Sequence, residues 1–254
     1  MIGISSASLM VTNLEASLKS IEPHFKHWEI LTESEPYLIN IIQQFNVIAN
    51  SHDLSYSIHA PIFDVNIASI NEKMRQESVV QISSTLRFAT QMGVEMVTIH
   101  PGYYPMGVRG FESRAEDKLK KSLAELDRIS NDSGVKLALE NMANQDSIIG
   151  RTADELSRYI DGTNLGICFD VGHANTNGQI ESMLGLRDRI INVHLHDNDG
   201  LTDSHSSLGD GKIDFTKIFQ TLKGYKGNFI IEARTLSSAL DSLNYLKENS
   251  SEMS

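Results

Sequence analysis

The chain has 254 residues, 40% of them hydrophobic and 22% charged, which is enough apolar content for a sizeable core and too much for a disordered chain. Its 33 acidic against 22 basic residues give a net charge of −11, which repels phosphate backbones and weighs against duplex DNA as a partner. The single cysteine, Cys168, excludes an internal disulfide and a thiolate metal cluster, and the lack of a basic-then-apolar leader or a spanning apolar run leads us to expect a cytoplasmic protein with no membrane partner.

Short strand-like runs alternate with segments of helical periodicity. In chain order, strands are expected near 2–7, 27–32, 55–60, 95–100, 136–141, 165–170, 191–196 and 228–233. Helices are expected near 12–21, 36–51, 68–92, 112–132, 152–160, 179–189, 214–223 and 235–248. The clearest helical pattern places Leu119, Leu123, Leu126 and Ile129 on one face. On the same helix, Lys118, Lys120 and Lys121 alternate with Glu116, Asp117 and Glu125, which reads as a solvated face. Thr152 and Glu155 have the spacing of a capping box. Gly93 and Gly134 stand where helices should stop before the next strand. Eight alternations favour a closed parallel (β/α)8 barrel, the TIM-barrel architecture of the α/β class, over an open doubly wound sheet. With no linker and no shift in composition, residues 1–254 read as one domain.

Residues of metal-binding type finish six strands in succession: His59, His100, Glu140, Asp170, His194 with His196, and Glu232. In a (β/α)8 barrel these ends converge on one mouth, where active sites lie. His173 follows Asp170 by three residues, and Asp203 and His205 form a pair in the loop after the seventh strand. Any one of these reads as a core histidine, a helix cap or a salt-bridge partner. The set reads differently, because so many acids and imidazoles in one cavity repel and desolvate one another unless divalent cations join them. Nitrogen and oxygen donors without sulfur suit zinc, manganese, iron or cobalt, and nine candidate ligands suit two or three ions better than one. Elsewhere, Gly209 and Gly211 offer backbone N–H groups to a phosphate or form a tight turn before a helix. Tyr103 and Tyr104 stack on substrate or pack a lid loop, Arg109 and Arg114 reach a phosphate or point into solvent, and Cys168 and Trp28 belong to the core. No lysine ends a strand, which argues against a Schiff-base aldolase, and no GxGxxG opens a helix, which argues against nicotinamide or flavin.

The motifs SIHAPIFDVN, TIHPG, LALEN, FDVGHAN, HLHDNDGLTDSHSSLGDGKIDF and IIEAR resemble those of the xylose isomerase-like barrels, and most specifically endonuclease IV (AP endonuclease family 2). The resemblance runs from about His59 to Glu232. It implies three zinc ions: one held by His59, His100 and a bridging Glu140, a second completed by Asp170, His194 and Glu232, and a third held by His173, Asp203 and His205. It also implies hydrolysis of a phosphoester, with Glu140 and Glu232 as the catalytic carboxylates and abasic DNA or a phosphorylated small molecule as substrate. Three features depart from that family. The N-terminus reads IGISSASLMVT rather than GAHVS, the loop after the second strand reads TESEPY and is acidic, and His196 stands where the family usually has Asn. The chain is also similar to the sugar and sugar-phosphate isomerases and epimerases. In those barrels one metal sits among the counterparts of Glu140, Asp170, His194 and Glu232, and the two glutamates shuttle a proton between adjacent sugar carbons. A third reading is a metal-binding relic or sensor without turnover.

Overall fold

The computed structural model describes all residues except 12, 34, 106–108 and 250–254. Eight parallel strands close on themselves in sequence order: β1 (Ile2–Ser6), β2 (His27–Leu31), β3 (Ser55–His59), β4 (Met96–Ile99), β5 (Lys136–Glu140), β6 (Gly166–Asp170), β7 (Ile190–Leu195) and β8 (Asn228–Ala233). The closing seam pairs β1 with β8 from Ile2↔Phe229 to Ser6↔Ala233. The helices are α1 (Leu14–Ile21), α2 (Glu35–Ile48), α3 (Glu72–Met92), α4 (Glu112–Ser133), α5 (Ala153–Ile160), α6 (Val171–Thr176), α7 (Ile180–Leu184), α8 (Phe215–Thr221) and α9 (Leu236–Glu248). The chain is a (β/α)8 barrel, as the alternation predicts, with strand boundaries within a residue or so of those expected. The helix expected over 179–189 is instead α7 followed by a 3-10 turn at Arg187–Arg189, and α6 was not anticipated. Among the described residues, no helix is long and apolar enough to cross a membrane.

The alternation of strand side chains divides each strand in two. Trp28, Ile30, Ile58, Val97, Ile99, Leu137, Leu139, Ile167, Phe169, Val193, Leu195 and Ile231 are buried in the apolar core, the layer between barrel and helices. The opposite parity is mostly polar and meets inside the barrel, where Asn192 Nδ2 reaches Glu29 at 2.8 Å and Thr98 at 3.1 Å. α4 docks through Ala115, Leu119, Leu123 and Leu126, all fully buried. The lysines on this helix are not simply solvated: Lys118 and Lys121 reach Glu72 of α3 at 2.6 and 2.8 Å. Beneath them the buried Arg75 joins Glu72, Glu125 and Ser122, so this face ties α3 to α4. Gly93 and Gly134 end their helices at φ of 67° and 73°, the left-handed turn that glycine adopts without penalty. The capping box of Thr152 and Glu155 opens α5.

Candidate metal centre

The C-terminal strand ends bring all nine predicted donors, and His196 with them, to one mouth. They fall into three groups whose ligand atoms lie within 4.8 Å of one another, the first two sharing Glu140: His59, His100 and Glu140; Glu140, Asp170, His194 and Glu232; and His173, His196, Asp203 and His205. Glu140 Oε2 stands 3.2 Å from His59 Nε2 and 3.1 Å from His100 Nε2. Its Oε1 stands 3.4 Å from His194 Nδ1 and from His173 Nδ1. In the central group, His194 Nδ1 also lies 3.8 Å from Asp170 Oδ2 and 3.5 Å from Glu232 Oε2.

Local structure fixes each donor. Asp170 ends β6 and caps α6, its Oδ1 accepting from His173 N, so one residue is both helix cap and candidate ligand and its Oδ2 is left facing the centre. Asn141 clamps Asp170 from both sides, accepting from its N–H and donating to its carbonyl, each at 2.8 Å. His173 Nδ1 donates to the Asn141 carbonyl and His59 Nδ1 to the Ala60 carbonyl, both at 2.9 Å. Those bonds set the tautomers and leave each Nε2 to ligate.

The third group depends on the loop after β7. Asp197 and Ser206 pair in a two-residue antiparallel bridge that folds the chain back over the mouth. The buried Asp197 carboxylate accepts four backbone N–H groups, those of Asn198, Gly209, Gly211 and Ile213, at 2.8–3.2 Å. Gly209 and Gly211 therefore serve a tight turn around Asp197, and their N–H groups are not free for a phosphate. A Cβ on Gly211 would stand 2.2 Å from Asp197 Oδ1. His205 holds a left-handed φ of 50°, which costs on the order of 1 kcal/mol outside glycine and points to a functional reason for holding it. It stacks on His196 at 3.9 Å between ring centroids. His196 in turn fits only because residue 172 is glycine, where a Cβ would sit 2.0 Å from its ring.

The donor set fits divalent cations. Ligands ~2.1 Å from a tetrahedral zinc stand ~3.4 Å apart, and the His–carboxylate donor pairs in the three groups stand 3.1 to 3.8 Å apart. Asp170 Oδ2, His194 Nδ1, Asp203 Oδ1, Glu232 Oε2 and both ring nitrogens of His196 are buried without a hydrogen-bond partner. Each such atom costs about 1–3 kcal/mol unless something answers it. Burial alone would raise the Glu140 carboxyl, but His194 and His100 outweigh it and hold it well below the usual range. Burial likewise opposes charge on His59 and His205, yet the facing carboxylates, Glu140 for the first and Asp203 for the second, push both up to about 9. Positive charge at the mouth is what this cluster requires. Cys168 lies within reach of Glu140 and His194, but burial pushes its thiol well up and carboxylates supply the same position.

The accessory expectations resolve as follows. Tyr104 donates from its hydroxyl to Glu116 at 3.0 Å, a packing role. Tyr103 lines a surface recess with Ile62, Phe63 and Asn66. Arg109 and Arg114 are exposed, the latter lying over the Phe111 ring. The TESEPY loop falls partly outside the described residues. Cys168 and Trp28 are buried.

Two residues at the site lie outside the predicted ligand set, His196 and Glu29. His196 directly follows β7, close after the predicted ligand His194, and Glu29 stands in the middle of β2, away from any strand end. Glu29 lies inside the barrel, 2.7 Å from His194 Nε2. Its signal was present: a strand buried on both faces should be apolar throughout, whereas HWEIL and SYSIH alternate polar with apolar.

A profile described as xylose isomerase-like TIM barrel matches residues 15–249. The chain belongs to the xylose isomerase-like TIM-barrel family. An uncharacterized member from Methanocaldococcus jannaschii is 36% identical, the match covering 97% of this chain and 88% of that protein. A probable endonuclease 4 of Staphylococcus saprophyticus is 30% identical over 68% of this chain and 64% of its own length. Among solved structures, a D-tagatose 3-epimerase-like protein superposes with a TM-score of 0.90 and 34% identity, covering 99% of this chain and 97% of that one. This xylose isomerase-like barrel is thus similar both to a probable endonuclease 4 and to a D-tagatose 3-epimerase-like protein.

Proposed function

We propose that this barrel is a divalent-metal-dependent phosphoesterase with two to three ions, zinc foremost, that cleaves a phosphorylated sugar or a small phosphodiester. The observation that supports it best is Glu140, whose two oxygens face two different groups of donors while a third group is complete without it. Proton shuttling on a sugar needs only the central group. Cations in these positions supply a more acidic water and neutralise charge on a phosphoryl group. Glu232, which lines the mouth cavity, would orient that water through its carboxylate, and Glu140 would hold the groups in register. The cavity above them is about 220 Å³ and is lined in part by Leu31, Ile62, Met142 and Ile148. That is smaller than the ~300–1,000 Å³ of most ligand pockets, and together with the net charge of −11 it favours a small substrate over duplex DNA. Sugar epimerisation is the second reading. It is favoured by the 34% identity to the epimerase-like protein and by Glu140 and Glu232 both facing His194.

A zinc-loaded preparation assayed on a chromogenic phosphodiester, an abasic oligonucleotide and a ketohexose in deuterated water separates the two readings. We expect phosphodiester cleavage, lowered at least about 100-fold by Glu232→Gln and strongly by His205→Ala. A loss of only about twofold in Glu232→Gln removes the hydrolytic role. Deuterium incorporation next to the sugar carbonyl that survives His205→Ala establishes the epimerase instead.

A further inference from the structure

The lumen of a (β/α)8 barrel is ordinarily filled with branched apolar side chains. Here the layer beneath the donors is polar, and Glu29 of β2 lies fully buried within it. Its Oε1 accepts from His194 Nε2 at 2.7 Å, and its Oε2 accepts from Ser57 Oγ at 2.9 Å and from Asn192 Nδ2 at 2.8 Å. The Asn192 amide directs its hydrogens at Glu29 and Thr98, so His194 Nε2, 3.2 Å from the same amide nitrogen, is left as a donor to Glu29. Ser57 gives its one hydrogen to Glu29 and so accepts from His27 Nε2 at 2.9 Å, and His27 Nδ1 meets Ser55 Oγ at 2.8 Å. The chain Ser55–His27–Ser57–Glu29–His194 thus runs from a recess of about 620 Å³ at the N-terminal end of the barrel up to the central group.

We propose that Glu29 is the positioning residue of the metal centre: it locks His194 as the Nε2–H tautomer and makes Nδ1, not Nε2, its ligating atom. The proposal rests on the metal reading above. It sets His194 apart from His59 and His173, which rest on backbone carbonyls and present Nε2. A carboxylate behind an imidazole makes it a stronger donor to a cation than a carbonyl does, and removing such a partner weakens metal affinity by about 10–100-fold. Among the described residues, the only cationic partner within 4 Å of Glu29 is His194. A cation held on His194 Nδ1 would offset the buried carboxylate through the neutral imidazole between them.

The test is zinc affinity of the full chain, measured by competition with a chromogenic chelator, in wild type and Glu29→Gln. The variant keeps size and one acceptor but loses the charge. We expect its tightest site to weaken 10–100-fold, and nitrogen NMR of histidine-labelled, zinc-loaded wild type to show His194 bound through Nδ1 with hydrogen on Nε2. Unchanged affinity in a folded Glu29→Gln, or His194 bound through Nε2, overturns the proposal. If the variant does not fold, the wild-type spectrum decides alone. Zinc binding that depends on Glu29 in a protein inert toward phosphodiesters would overturn the hydrolase reading and leave this one standing. Cleavage with zinc affinity indifferent to Glu29 would do the reverse.

Discussion

Burial inside the barrel lowers the His27 imidazole to about 4, against the opposing charge of Glu29. The unfolded chain takes up this proton below about pH 6.5 and the folded chain only near 4. Folding stability therefore falls as the pH drops through that window, by about 3 kcal/mol at ~1.4 kcal/mol per unit. His27→Gln, which bonds but cannot charge, should flatten the dependence of stability on pH between 6.5 and 4 in denaturant titrations. An unchanged slope would mean that His27 titrates as it does in water. Residues of this kind were the hardest to read from sequence. His59, His100, Glu140, Asp170, His194 and Glu232 announce themselves because each stands at a strand end and chemistry is expected there. His27 and Glu29 sit at the start and middle of β2, where one would look for packing, and only the barrel's closure brings Glu29 against His194, 165 residues away.

Strands and long helices were legible because their periods of two and 3.6 are written directly in apolar spacing. The short helix α6 was not, since FDVGHAN carries no amphipathic stripe and is set by the cap from Asp170. The loop after β7 is the opposite case. Its donors stood out in the sequence while the element that holds them, the turn around Asp197, did not. Asp197→Ala leaves four backbone N–H groups without their acceptor. We expect a loss of about 3 kcal/mol or more, a fall in Tm of roughly 6–12 °C, and one fewer ion per chain by elemental analysis, as Asp203 and His205 lose their placement. A full complement of metal in a folded Asp197→Ala protein would show that the loop group holds no ion.

Over the whole chain, closure of the barrel and assembly of the donors are one event, since Glu232 of β8 joins the group only when β8 has paired with β7 and β1. Cations that bind only this closed state stabilise it by mass action, ~4 kcal/mol for each held at a thousandfold above its Kd. Stripping with a chelator should therefore lower Tm by roughly 8 °C or more, and a shift under about 2 °C would indicate that the groups bind no ion of consequence. The donors come from β3 through β8, from α6 and from the loop after β7, while β1 and β2 place none at the mouth. A loaded barrel is then a hoop fastened along six of its eight staves. The two unfastened staves are the first to be made, and they hold to the rest through hydrogen bonds and packing alone. Such a hoop should give way first at its opening quarter, the two staves that no ion fastens.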